Sequence, residues 1–377
     1  MMKTMKSIVA IAASCLISAP CVSAFAVASS KVLAGAKPEY QSALSSRSSV
    51  ICKGAETNIL DSFKSILDNT KPSGGSKKFR MAQSLLLSLI NDEKCFTSID
   101  GAQKFADSCA VNVVYEDCYE PQPIVGRAAV ADHLRERVSM RTEGDRDAQF
   151  RVDKISDGSK ACGFAWTWVS NDLEGLRGTT FVELNESNQI AYVREIPEPL
   201  LKPGDFILDV LKTVTADAVP KPPPEYVQQT PQKANEIAKY LFNDVQGSSP
   251  EEAMRFFDES IIYRDFNYEE VLRGKAQVQK FIEDFSFPGI AFVTERFDDG
   301  ERSSCFTWEV VLEGAPEGSA IKGISFYEIN DEGLITYVRD VPESGIKPPP
   351  IGKLARQFRP ALGVFQPVAV GSRVGGL

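Results

Sequence analysis

The sequence predicts an α+β protein built from two tandem domains, each with helices packed on one face of a curved antiparallel sheet. Three observations lead there. A long internal repeat sets the architecture before any motif does. Within each copy, apolar residues recur first at helical spacing and then in alternation. Proline-rich stretches mark where one copy ends and the next begins.

The repeat is extensive. "VVYEDCYEPQPIVGRAAVADHL", Val113 to Leu134, aligns with "IIYRDFNYEEVLRGKAQVQKFI", Ile261 to Ile282, so that Tyr115 meets Tyr263, Asp117 meets Asp265 and Gly126 meets Gly274. "CGFAWTWVS" then matches "SCFTWEVVL", with Trp166 over Trp308. "RGTTFVELNESNQIAYVREIPE" matches "KGISFYEINDEGLITYVRDVPE", with Gly178 over Gly323 and Arg194 over Arg339. In each copy "MAQSLLLSLIND" or "ANEIAKYLFNDV" opens a helix, and a shorter helical segment follows near Ala102 to Cys109 or Pro250 to Phe257. A strand then leads through a glycine into a third helix, "RAAVADHLRERV" or "KAQVQKFIEDF". The alternating runs "AQFRVDKIS", "GFAWTWVS", "TTFVELNE" and "IAYVREI" have the pattern of antiparallel strands with one buried face. "NESNQ" and "NDEGL" supply the last turn.

These signals divide the chain into a leader at 1–24, a second targeting segment at 25–50, an amphipathic helix and linker at 51–78, and the first repeat at 79–205. A connector at 206–232, the second repeat at 233–349 and a tail at 350–377 complete it. The stripe Ile59, Leu60, Phe63, Ile66 and Leu67 marks the short helix before "KPSGGSKK", and the prolines of "VPKPPPEYVQQTPQ" favour an extended spacer between the repeats.

With 377 residues, 43% hydrophobic and 25% charged, the chain is long enough for two ordinary cores. Its formal charge of −9 carries no basic patch for nucleic acid. After the leader no segment reaches the roughly 18 apolar residues of a membrane span. The start "MMKTMKSIVAIAASCLISAPCVSA" has Lys3 and Lys6, an apolar run and a small-residue cleavage site, as a signal peptide does. "FAVASSKVLAGAKPEYQSALSSRSSV" follows, rich in Ser and Ala with Glu39 its one acid, which is transit-peptide composition. Beyond the leader no cysteines form a CxxC pair, so no metal knuckle or redox motif is expected.

Tyr115 with Asp117, and Tyr263 with Asp265, are the candidate catalytic groups. Residues i and i+2 of a strand share a face, so each pair can enter one pocket, where proton transfer at carbon needs a carboxylate base and an opposing acid. The plainer role for a Tyr-x-Asp at the end of a strand is capping of the loop. His133, the one histidine, has Phe281 as its counterpart and is expected to pack against the sheet. With a single His no metal site or cofactor is expected. Cys109 and Cys118 correspond to Phe257 and Phe266 and read as core fillers, whereas Cys162 and Cys305 fall one register apart and are not expected to pair. Arg194 and Arg339 are expected on an outward face, paired with the acids of a neighbouring strand or subunit. The tail carries Lys353, Leu354, Arg356, Phe358, Arg359, Leu362 and Phe365 with no acid, which suits docking along a larger surface.

The element order and the "Y-x-D…G-x-x-x-V…G…F-x-E" landmarks resemble the NTF2-like, or SnoaL-like, cone fold over residues 81–200 and 233–345. Relatives of that kind include ketosteroid isomerases and polyketide cyclases, so the resemblance implies a pocket at the open end of each cone. The junction "VSA" then "FA" resembles the bipartite plastid presequence of diatoms, implying import into the plastid stroma. Taken with the two "YVR-[ED]-[VI]-PE…KP" exits and the basic tail, the chain resembles the pyrenoid shell proteins of diatoms. That resemblance implies a self-assembling, non-enzymatic subunit at the pyrenoid periphery, in a homo-oligomeric lattice with paralogous subunits or the Rubisco matrix as neighbours. The alternative it leaves open is an isomerase, a cyclase or a binder of small apolar molecules.

Overall fold

The computed structural model describes residues 81–144, 148–171, 173–199, 202–246, 248–315 and 320–344. The expected leader, transit segment, amphipathic helix and basic tail, with Lys353, Leu354, Arg356, Phe358, Arg359, Leu362 and Phe365, lie outside the described residues.

Each repeat opens with a helix, α1 (Met81–Leu87) or α5 (Ala234–Lys239), whose continuation widens to π geometry at Ser88–Asp92 or Tyr240–Val245. Short helices α2 (Ile99–Asp107) and α6 (Pro250–Met254) follow. Their N-caps are Ser98, accepting from the Gly101 N–H, and Ser249, accepting from the Glu252 N–H. Strands β1 (Cys109–Asp117) and β2 (Ile124–Val125) then lead into the long helix α3 (Arg127–Gly144). Strands β7 (Phe257–Asp265) and β8 (Leu272–Arg273) lead likewise into α7 (Lys275–Asp284). Gly126 and Gly274, with φ of 95° and 83°, make the turn into these helices in a region closed to most side chains.

The remaining strands form a meander in each copy. They are β3 (Gln149–Ile155), β4 (Ala161–Ser170), β5 (Leu173–Leu184) and β6 (Ile190–Pro197) in the first repeat. The second has β9 (Ile290–Phe297), β10 (Ser303–Leu312), β11 (Ile321–Ile329) and β12 (Ile335–Pro342). The sheet orders are identical, β2-β1-β6-β5-β4-β3 and β8-β7-β12-β11-β10-β9. One pairing differs from the antiparallel expectation, since β1 runs parallel to β6 and β7 to β12. The helical crossover through α3 or α7 carries the chain to the far edge, and the meander returns its last strand alongside the first in the same direction.

Among the described residues three cores hold the fold. Two fill the cones, around Phe105, Phe164 and Trp166 in the first repeat and around Tyr240, Phe306 and Trp308 in the second. The third lies between the sheets, where Phe181, Tyr192 and Ile196 meet Phe266, Ile324 and Phe326, joining both repeats in one compact unit. Such sandwich packing buries the convex face of each sheet against the other.

Inside each cone the tryptophan lies across a glycine on the adjacent strand, Trp166 over Gly178 and Trp308 over Gly323. A Cβ at either glycine would overlap the indole ring. Gly323→Ala is therefore expected to destabilise the protein by about 1–3 kcal/mol through overpacking, measured by urea denaturation. A loss below about 0.5 kcal/mol would mean that the ring moves freely, contrary to its burial.

Ahead of the proline-rich spacer, the connector begins with a helix not expected from the sequence, α4 (Asp205–Val214), which forms because Leu208 and Leu211 bury on one side while Asp205 and Lys212 sit at the ends that suit their charges. From residue 219 to 232 the chain has no helix or strand.

Candidate functional site

Period-2 alternation sends the repeated strand residues of each copy to opposite faces. On β1, Tyr115 and Asp117 point into the cone while Glu116 points to the other sheet. On β6, which pairs in register, Glu195 lies beside Asp117 and Arg194 beside Glu116. The same division puts Tyr263, Asp265 and Asp340 in the second cone and Arg264 and Arg339 on its convex side.

In the first cone these groups close on one another. Tyr115 donates to Glu195 at 2.5 Å, and Arg137 of α3 donates to the other Glu195 oxygen at 2.5 Å and to Asp117 Oδ2 at 3.3 Å. His133, one helical turn before Arg137, has its Nε2 3.1 Å from Asp117 Oδ2, and Asp117 Oδ1 accepts the Tyr119 N–H at 3.0 Å. Burial pushes the Asp117 carboxyl up, but the Arg137 charge and the His133 hydrogen bond outweigh it and hold the group at about 2. Burial and the Glu195 charge push the Tyr115 hydroxyl well above its usual range. Behind the network a void of about 10 Å³ remains, lined by Phe96, Leu134, Arg137, Val138, Phe150 and Trp168, which is room for one water.

The second cone uses the same frame with opposite electrostatics. Phe281 and Phe285 stand where His133 and Arg137 stand in the first, their rings 4.8 Å apart, and Phe281 lies 5.3 Å from Tyr263. Tyr263 and Ser325 both donate to Asp340, and Trp308 donates to Ser325 at 2.8 Å. Asp265 accepts the Asn267 N–H at 2.7 Å. With Phe281 and Phe285 at those helix positions, burial and then the Asp340 charge push Asp265 up to about 7 against the Asn267 hydrogen bonds and the Lys202 charge, and burial pushes Asp340 up to about 6.

Arg194 and Arg339 are not on an outward face. Arg194 is fully buried between the sheets, donating to Glu116 at 2.6 Å, pairing with Glu295 of the second repeat and reaching the Trp308 carbonyl. Arg339 is 4% exposed and donates to the Thr179 hydroxyl at 2.8 Å and the Gly178 carbonyl at 3.0 Å, its guanidinium 4.2 Å over the Phe266 ring. Their strand face is the convex one, and the opposing sheet covers it.

Arg137, Glu195 and Asp340 carry the site and were not singled out from sequence. The signal was available: His133 and Arg137 are four apart on one helix, both replaced by phenylalanine in the second copy, and each buried arginine of "YVR-[ED]" is followed by an acid on the opposite face. Among the described residues no group of three or more His, Cys, Asp or Glu is arranged to hold a metal ion. Cys95, Cys109, Cys162 and Cys305 are buried and free, and burial pushes the Cys162 and Cys305 thiols well up. No helix among the described residues is long and apolar enough to cross a membrane.

Residues 238–338 match the family model described as "SnoaL-like domain". Both repeats have the NTF2-like fold. No curated protein matches the chain. Similar solved structures include an NTF2-like protein of unknown function from Cytophaga hutchinsonii ATCC 33406, 11% identical over 31% of this chain and 95% of that one, with a TM-score of 0.26. A steroid delta-isomerase from Pseudomonas aeruginosa is 12% identical over 31% of this chain and 77% of its own, with a TM-score of 0.24. A de novo designed protein with a curved beta-sheet is 14% identical over 35% of this chain and 99% of its own, with a TM-score of 0.25.

Proposed function

We propose that this protein is a structural subunit of a self-assembling layer around the Rubisco-containing pyrenoid of an algal plastid, supporting CO2 fixation without catalysis. The observation that carries this reading is the state of the first cone: the groups expected to face a substrate instead satisfy one another, and about 10 Å³ is left behind them. A second support is the internal pairing of the repeats, which covers both convex sheets and leaves a compact block with its remaining surface for neighbours. The presequence-like composition of the N-terminal segment supports a stromal location under this reading. Purified protein is expected to form sheets or tubes in negative-stain microscopy, and a fluorescent fusion to outline a hollow rim within the plastid. A monodisperse monomer together with diffuse stromal fluorescence would sink the proposal.

A second reading rests on the second cone. Asp265 and Asp340, both raised by burial and set beside Tyr263, are the group set that proton transfer next to a carbonyl requires. It predicts conversion of a β,γ-unsaturated ketosteroid to the conjugated enone, followed by ultraviolet absorbance and abolished in Asp265→Asn. Absence of turnover by the unmodified protein removes this reading.

A further inference from the structure

The repeats are related by an internal two-fold, and the contacts between them come in reciprocal pairs. Lys154 pairs with Glu328 and lies 4.3 Å over the Tyr337 ring, while Arg296 pairs with Glu183 and lies 4.0 Å over Tyr192. Asp157 accepts the N–H groups of Glu301, Arg302 and Ser303, while Asp299 accepts those of Ser159 and Lys160. Under such symmetry, an element that leaves the first repeat and lands on the second has a counterpart that leaves the second and lands on the first.

Helix α4 is an element of that kind. It leaves after β6 and crosses to the second repeat, where the Gly204 N–H donates to the Asn267 carbonyl at 2.9 Å. Past its C-terminus, Thr215 and Ala218 press on Gly289, so closely that a Cβ there would stand 2.6 Å from that of Ala218, and Lys221 pairs with Glu313 at 3.1 Å. The segment thereby covers the rim formed by the turn after α7 and the β10–β11 hairpin.

The equivalent rim of the first repeat is formed by the end of α3 and the β4–β5 hairpin. There the structure has a cavity of about 290 Å³, lined by Met140, Arg141, Trp168, Val169, Leu173 and Leu176. Met140 is 40% exposed and Leu173 73%, and the Arg141 guanidinium lies 4.0 Å over Trp168. No described element covers this rim as α4 covers the other.

The sequence supplies a counterpart to α4. "YVREIPEPLLKPG" precedes α4, and "YVRDVPESGIKPP" precedes the C-terminal segment. Ile207, Val210, Leu211 and Val214 of α4 are spaced i, i+3, i+4, i+7, and Ile351, Leu354, Ala355 and Phe358 repeat that spacing. We infer that residues 351–362 dock on the rim of the first repeat in the same chain, with Leu354 and Phe358 filling the cavity beside Trp168. This rests on the internal symmetry alone and is independent of the layer reading.

Hydrogen exchange of the full chain against a variant ending at Ser344 tests it. Amide exchange at 168–176 is expected to accelerate at least tenfold on truncation, with 309–315, under α4, unchanged; equal exchange at 168–176 in both proteins overturns the inference. Leu173→Asp in the full-length chain is expected to give the same local acceleration, which separates docking from any loss of folding in the truncated form. A Leu173→Cys, Phe358→Cys pair decides the chain: a disulfide within one chain supports the inference, while a bond between chains, or none, overturns it.

Discussion

Replacing Arg137 with leucine is expected to destabilise the protein by about 3–5 kcal/mol, more than any other single change in the first cone. The guanidinium is 18% exposed and joins Asp117 to Glu195, whose side chains are only 5% and 3% exposed. Its removal leaves two neighbouring carboxylates with only His133, the Tyr115 hydroxyl and the Tyr119 N–H of the described network to hold them. Thermal unfolding should move down on the order of 10 °C. Adding Asp117→Asn and Glu195→Gln to Arg137→Leu should recover much of the loss, because the penalty is the uncompensated charge and not the missing volume. If the triple variant is no more stable than the single one, packing by the arginine stem, and not its charge, is what matters.

Asp265→Asn is expected to raise stability at pH 8 by about 2 kcal/mol and to leave it nearly unchanged at pH 4. The sign follows from the direction of the shift. Asp265 titrates near 7 in the folded protein and in the usual carboxylate range when unfolded, so its favourable contribution is complete below about pH 4 and is lost as pH rises through 7. Asparagine cannot ionise, and it retains an oxygen for the Asn267 N–H. Urea denaturation at the two pH values measures the difference, and an equal loss of stability at both would show that the ionised carboxylate has a partner. Two acids of the first repeat have the opposite dependence: Asp117 in the cone and Glu116 between the sheets, both held near 2 against the effect of burial, stabilise the fold above the usual carboxylate range and cease to do so as pH falls through 2.

The duplicated architecture was legible because repetition, helical periodicity and strand alternation are local properties of the chain. The order of strands and the turn glycines at 126 and 274 follow from the same patterns. Helix α4 was not legible behind the proline-rich stretch that follows it, since its apolar stripe gains meaning only from the rim it covers. The outward placement of Arg194 and Arg339 failed for a related reason. Alternation correctly put each arginine and its following acid on opposite faces, but a strand pattern does not say which face a second sheet will cover. Once the convex faces close on each other, the arginines become interior groups and the acids line the cones.

By itself the sequence determined two similar α+β units, their helix and strand order, and the pairing of Tyr115 with Asp117 and of Tyr263 with Asp265 on one strand face. Tertiary structure alone decided what surrounds those pairs. Arg137 reaches Asp117 from the helix and Glu195 stands beside it on the adjacent strand, while the corresponding helix positions of the second repeat hold Phe281 and Phe285. Charge compensation depends on separations of a few ångströms between residues far apart in the chain, and only the folded backbone sets those distances.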